Sequence, residues 1–188
     1  MKDIGVFGYG DGDHEAQIDV DSVHHVIVNP GGAKAKSVKG LSSELLNHLS
    51  TFFGVKTETY DKDLQKAPCF RCYVDPNNGD DSLSVIYVNS ISYPKQRSTD
   101  IEFEEYWKKL KNLYKTVFEL CVENKQPRVR VPMIGLGVNC STVVIAEMVL
   151  KNVQLAKKAS DEIEADLSVE FCIFKMEEYK VCIFMSCL

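Results

Sequence analysis

Apolar positions along this chain switch between two periods, and the switches divide it into alternating strands and helices. Met1 to Tyr9 reads as a first strand, closed by the turn Gly10-Asp11-Gly12-Asp13. Val23 to Val28 is nearly all apolar after its two histidines, as a strand buried on both faces should be. From Leu41 the period lengthens: Leu41, Leu45, Leu49, Phe52 and Phe53 recur at helical spacing, and Gly54 closes that helix. Cys69 to Val74 and Leu83 to Ile91 read as strands, split by the turn-rich Asp75-Pro76-Asn77-Asn78-Gly79-Asp80-Asp81. Trp107, Leu110, Tyr114, Val117 and Cys121 then mark one face of a long helix from about Asp100 to Glu123. Arg128 to Ile134 is another strand. Ser141 is placed to cap a helix through Ile145, Met148, Val149 and Val153. Leu167 to Phe174 is a further strand, and Tyr179 to Ser186 in the tail fits either strand or helix. No internal repeat or low-complexity tract interrupts the pattern.

Strands alternating with helices predict an α/β fold, with a mostly parallel sheet covered on both faces by helices. In such sheets ligands bind outside the carboxyl ends of the strands. Two glycine-bearing loops fall there. The first follows His25-Val26-Ile27-Val28 and runs Asn29-Pro30-Gly31-Gly32-Ala33-Lys34-Ala35-Lys36-Ser37-Val38-Lys39-Gly40. The second follows Val129-Arg130-Val131-Pro132-Met133-Ile134 and runs Gly135-Leu136-Gly137-Val138-Asn139-Cys140-Ser141. Glycine lets backbone N–H groups approach an anion closely, and the following helix points its positive end at the same spot. Two such loops at neighbouring strand ends can hold the two phosphates of one pyrophosphate. The first functional expectation is therefore a nucleotide-like ligand.

Composition narrows this only slightly. The 188 residues suit one domain, 1–188, with a core that needs no disulfide or metal. Apolar residues at 45% and charged residues at 26% are ordinary for a globular protein, and no run approaches a membrane span. The first residues show no signal-peptide pattern, and seven scattered cysteines suit reduced thiols, so a cytoplasmic setting is expected. A net charge of −5 argues against a generally basic, nucleic-acid-coating protein. Lys34, Lys36 and Lys39 are a local exception beside the first loop.

At this point the pattern resembles the macrodomain family, a three-layer α/β/α fold that binds ADP-ribose. The family's first loop reads V-N-A-A-N, a variable stretch, then G-G-V-x-G-A-I at a helix start. Here Val28-Asn29 is followed, after a gap, by Lys36-Ser37-Val38-Lys39-Gly40-Leu41. The family's second loop reads P-L-I-S-T-G-I-F-G, against Pro132-Met133-Ile134-Gly135-Leu136-Gly137-Val138-Asn139-Cys140 here. Ser84 to Asn89 stands where the family has its V-I-H strand. The resemblance implies a mixed, mostly parallel sheet and an ADP-ribose pocket. It also implies that the ligand is met by Asn29, Gly31, Gly32, Ser37, Val38, Gly40, Gly135, Leu136, Gly137, Val138 and Asn139, with Asp11 or Asp13 near the adenine. Family hydrolases orient the attacking water or ribose with the second asparagine, and Gly32 stands at that position. Lys36 and Ser37 replace the family's glycine pair, and Asn139 replaces its ribose-covering aromatic. Hydrolysis is therefore not expected, and no cofactor is implied. Degenerate macrodomains of this sort resemble those of viral replicase proteins, which implies a piece cut from a longer polyprotein in host cytoplasm.

Each candidate has a plainer reading beside it. Gly31-Gly32 also serves a tight turn. The second loop is the better anion nest, because Ser141 can cap the next helix and leave the loop amides pointing outward. The three lysines are read as solvated surface charges, with attraction of phosphate or an RNA backbone as the alternative. Phe174 can stack on an adenine or simply fill the core. Cys140 sits at a helix start, but His14, His24, His25 and His48 show no spacing that sets a base beside it. Cys69-Phe70-Arg71-Cys72 lies in a strand and lacks two further zinc ligands, so buried thiols are expected, and no metal site is. Two other classes of function stay open. One is an interaction module for nucleic acid or protein that reuses the fold, beside the partner expected on the first reading, ADP-ribose or an ADP-ribosylated protein. The other is an ADP-ribosyl hydrolase acting through non-standard residues such as Asn29, Asn139 or Cys140.

Overall fold

The computed structural model describes residues 3–8, 25–29, 69–74, 83–88, 91, 93–94, 99–123, 125, 128–134, 142–164 and 166–173. These contain strands β1 (Asp3–Gly8), β2 (His25–Asn29), β3 (Cys69–Val74), β4 (Leu83–Val88), β5 (Arg128–Pro132) and β6 (Ser168–Ile173). The helices among them are α1 (Asp100–Glu123) and α2 (Thr142–Glu162). All six strands join one sheet in the order β1-β6-β5-β2-β4-β3. Every neighbouring pair is parallel except β3 with β4. The expected α/β class and mixed, mostly parallel sheet are both present. The helix expected from Leu41 to Gly54 and the tail from Met176 lie outside the described residues.

Two crossovers build the described helical layer. The chain leaves β4, runs through α1 and enters β5; it then runs through α2 into β6. Both steps move the same way across the sheet. Right-handed crossovers in one direction place their helices on one face, and α1 and α2 accordingly pack together there. Their buried side chains share one core with Ile86, Val88, Val129, Val131, Val169 and Phe171 of the sheet. Alternation explains that set: Val129 and Val131 are buried in β5, Val169 and Phe171 in β6, with Arg130 and Glu170 between them on the other face. Fully buried side chains such as Leu110, Phe118 and Phe171 each contribute about 1.5–3 kcal/mol of apolar transfer energy.

The apolar stripe of α1 is wider than its spacing predicted, adding Tyr106, Leu113 and Phe118, while Trp107 is half-buried. The half-buried Trp107 and Tyr93 pack edge-on with Tyr106, at ring separations of 4.8 and 5.3 Å, and with each other at 6.0 Å. Three strand ends differ from expectation. β4 stops at Val88, leaving Ile91 outside the strand but packed against the core. β5 stops at Pro132, which has no N–H to continue the ladder, so Met133 and Ile134 are buried beyond the strand. β6 stops at Ile173. In turn α2 runs well past Val153, to Glu162.

Helix ends are set locally. Thr99 and Glu102 form a reciprocal capping box: the Thr99 N–H donates to Glu102 Oε2 at 2.6 Å, and the Glu102 N–H donates to Thr99 Oγ1 at 3.4 Å. The far end of α2 is tied to α1 by Glu162, which accepts from Lys111 at 2.7 Å and lies 3.8 Å from Lys115. The Lys111 hydrogen bond holds the Glu162 carboxyl below its ordinary value. That contribution is present at neutral pH and is lost as pH falls through the lowered value.

Both helices exit through a non-glycine residue in the left-handed region: Lys125 with φ 54° and Glu164 with φ 51°. A side chain with a Cβ costs about 1–2 kcal/mol there, part of which glycine recovers. Lys125→Gly and Glu164→Gly are each expected to raise thermal stability by about 0.5–1 kcal/mol, a shift of roughly 1–4 °C in Tm. A calorimetric scan showing either variant melting below wild type would contradict this account of the helix exits.

Candidate functional site

Parallel neighbours end on the same edge, so the carboxyl ends of β1, β6, β5, β2 and β4 lie in a row. Near the middle of that row β2 pairs with β5, through His25 with Arg128, Val26 with Val129 and Ile27 with Arg130. Carried two residues on, this register sets Asn29 level with Pro132. Tyr87 of β4 and Cys172 of β6 are at the same height. From β2 the chain goes on to β3 and β4 on one side; from β5 it goes through α2 to β6 on the other. Connections that leave adjacent parallel strands in opposite directions open a crevice at their carboxyl ends, where α/β sheets bind ligands. The two glycine-bearing loops therefore start from the two strands that flank this crevice.

Of the expected ligand residues, only Asn29 is described, as the last residue of β2. Asp13, Gly31, Gly32, Ser37, Val38, Gly40, Gly135, Leu136, Gly137, Val138, Asn139 and Phe174 lie outside the described residues. So do Lys34, Lys36, Lys39, Cys140 and Ser141. Among the described residues no cluster of three His, Cys, Asp or Glu is placed to hold a metal. No described helix is long and apolar enough to cross a membrane.

The stem of the second loop is defined more sharply. Past Pro132 the chain has left the ladder, yet Met133 and Ile134 remain buried. The Tyr114 hydroxyl on α1 donates to Oδ1 of Asn152 on α2. Asn152 Nδ2 donates to the Met148 carbonyl oxygen at 2.7 Å. Tyr114 and Asn152 are both fully buried, and Phe118 and Phe171 flank the Tyr114 ring. Burial pushes the Tyr114 phenol well above its ordinary value, helped by Tyr106 and opposed by the Ile134 amide.

On the opposite face of the sheet, Arg130 Nε donates to Glu170 Oε2 at 2.7 Å between register partners of β5 and β6. The pair lies two residues, roughly 6–7 Å, below the Pro132–Cys172 level. Spacing had marked neither group. Their signal was a charged residue between two buried apolar positions on each strand. Asn152 gave a similar signal, as a lone amide on the apolar face of α2.

No family model and no curated protein sequence matches the chain. Solved structures do. An Oceanobacillus iheyensis macrodomain variant with ADPR superposes with a TM-score of 0.60 at 18% identity, covering 97% of this chain and 93% of that one. A Trypanosoma brucei macrodomain in complex with ADP gives 0.58 at 12% identity, over 95% of this chain and 66% of that one. An alphavirus P23pro-zbd structure gives 0.59 at 12% identity, covering 100% of this chain, which spans 24% of that one.

The chain has the macrodomain fold.

In this macrodomain fold, the Tyr114 hydroxyl stands where α1 and α2 meet. Tyr114→Phe leaves Asn152 Oδ1 without that partner, an expected loss of about 1–3 kcal/mol at neutral pH. The pH dependence has a defined sign. The folded-state pKa is raised, so this group's contribution is complete below the unfolded value of about 10 and is lost as pH rises beyond it. Urea unfolding of wild type and Tyr114→Phe should therefore show a stability gap that narrows above about pH 10. A gap that stays constant into that range would refute the assignment.

Proposed function

We propose that this chain binds ADP-ribose or a related nucleotide-type ligand in the crevice between the loops that follow β2 and β5. One observation carries the reading: the two glycine-bearing loops arise from hydrogen-bonded parallel neighbours whose onward connections diverge. Similar structures that hold ADP or ADPR support the same ligand class. In this reading the amides around Gly31 to Ser37 and Gly135 to Asn139 enclose the pyrophosphate, with Asn29 at the crevice floor. Val38, Gly40 and Leu136 line the loops, Asp13 meets the adenine edge and Phe174 its face.

The same reading assigns binding without efficient hydrolysis. Backbone amides supply the anion contacts whatever side chains the loops carry, whereas orienting a nucleophile needs a particular side chain. Gly32 has none to offer where related hydrolases use an asparagine.

Calorimetric titration of ADP-ribose, with ATP as competitor, tests the ligand class. Micromolar and selective uptake of ADP-ribose is expected. Gly137→Glu sets a carboxylate and a Cβ where the backbone must approach an anion, and it should weaken binding about ten-fold or more, 1.4 kcal/mol or greater. Unchanged affinity in that variant would remove the pyrophosphate from the second loop. Release of ADP-ribose from a modified protein by wild type would overturn the assignment of binding without turnover.

A further inference from the structure

We infer that Tyr87 is the residue that meets the terminal ribose of the ligand and so sets a preference for ADP-ribose over ADP. This deepens the proposed function and rests on it for the ligand, whereas the place of Tyr87 follows from the sheet alone.

Register puts Tyr87 at the crevice. Asn29, the last residue of β2, pairs with Tyr87 of β4. Across β5 and β6 the same level is held by Pro132 and Cys172. Tyr87 thus belongs to the row at the carboxyl edge from which the glycine-bearing loops depart, one strand beyond Asn29. Alternation then fixes its face. Ile86 and Val88 are fully buried in the core shared with α1 and α2, so Tyr87 between them lies on the other face of the sheet. Asn29, as its partner, shares that face, and so do Arg130 and Glu170 two residues lower on their strands. Two residues below Asn29 and Tyr87 stand Ile27 and Val85, an apolar pair. At the carboxyl edge the two strands change from that pair to an amide beside a phenol.

Strand order supplies the direction of the ligand. In the proposed site the pyrophosphate lies over β5 and β2. Asp13 and Phe174, assigned to the adenine, follow β1 and β6 in the sequence. With the order β1-β6-β5-β2-β4-β3, adenine and pyrophosphate define a line along the sheet edge, and the next strand on that line is β4. Neighbouring strands are about 4.8 Å apart, so the group carried by the second phosphate reaches the level of Tyr87 by advancing one such spacing. The chemistry suits a sugar. A phenol offers one hydroxyl that both donates and accepts, together with a flat apolar face, and Asn29 beside it offers the donors and acceptor of an amide. ADP ends at its second phosphate and has nothing to place there.

Calorimetric titration of wild type, Tyr87→Phe and Tyr87→Leu with ADP-ribose and with ADP tests this. ADP is the internal control, because a variant that loosened the sheet would weaken both ligands alike. Wild type should bind ADP-ribose more tightly than ADP. Tyr87→Phe should weaken ADP-ribose about five-fold and leave ADP within about two-fold. Tyr87→Leu removes the ring as well as the hydroxyl; it should narrow the preference further, and it carries the test if Tyr87→Phe does not fold. Wild type alone gives a second reading, since terminal-ribose protons of bound ADP-ribose should show nuclear Overhauser contacts to a tyrosine ring. Equal affinity of wild type for the two ligands, absence of those contacts, or variants that lose both ligands equally or neither would overturn the role of Tyr87 and leave the nucleotide site standing. Failure of wild type to bind either ligand removes the proposed function, and the assignment of Tyr87 with it.

Discussion

Parallel pairing of β2 with β5 is the constraint on which the remaining architecture depends. A parallel pair cannot be closed by a short hairpin, so each strand must hand its chain to a long connection. Here those connections depart to opposite sides, β5 through α2 to β6 and β2 toward β3 and β4. At the edge where that divergence occurs, the register brings Asn29 and Pro132 to the same level. Had β2 been placed at an edge of the sheet, the two glycine loops would face different surroundings. The single antiparallel strand, β3, stays at the rim and disturbs none of this.

The helical layer turns that edge into a fixed platform, and magnitudes decide which contacts matter. Lys157–Asp161 and Lys109–Glu105 are exposed pairs one helical turn apart, each contributing about 0.3–0.5 kcal/mol at most. Lys111 and Lys115 on Glu162 join the two helices but remain partly in water. The buried Tyr114–Asn152 bond differs in kind. Removing a phenol from water carries a penalty that only satisfied hydrogen bonds offset, so it is stabilising solely while every member keeps its partner. Such a network selects one mutual arrangement of α1 and α2. Apolar packing of Leu110, Phe118 and Met148 supplies more energy but tolerates small shifts.

How much of this could be read beforehand follows from what each element depends on. α1 was legible to both ends because its apolar stripe repeats over several turns and water covers the other side. The strands were legible as short apolar runs, but their ends were not: β4 and β5 stop where pairing stops, and pairing is a property of the neighbours. The Thr99–Glu102 box was written plainly in the sequence, as a threonine three places before a glutamate at a helix start, and composition alone drew no attention to it. Asn152 and the Arg130–Glu170 pair are of another sort. Each is a polar residue among apolar positions, and only the tertiary register shows what it meets. Of the candidate ligand residues, Asn29 alone falls within the described structure. The topology nevertheless bears on all of them, because it fixes the strands from which their loops begin.

Likeness to macrodomain structures at 12–18% identity, together with altered loop motifs, fits a division between what a fold preserves and what a reaction requires. Fold is carried by apolar positions such as Val129, Val131, Val169 and Phe171, which any residue of similar volume can fill. Anion binding at a strand–loop–helix junction is carried by backbone N–H groups, which survive changes of side chain as long as the loop path is kept. Hydrolysis needs one particular side chain at one particular place, and fold alone does not supply it. Under the proposed function, Gly32 in place of an asparagine and Asn139 in place of a loop aromatic leave the backbone means to hold a pyrophosphate and remove the side chain that would cleave what is attached.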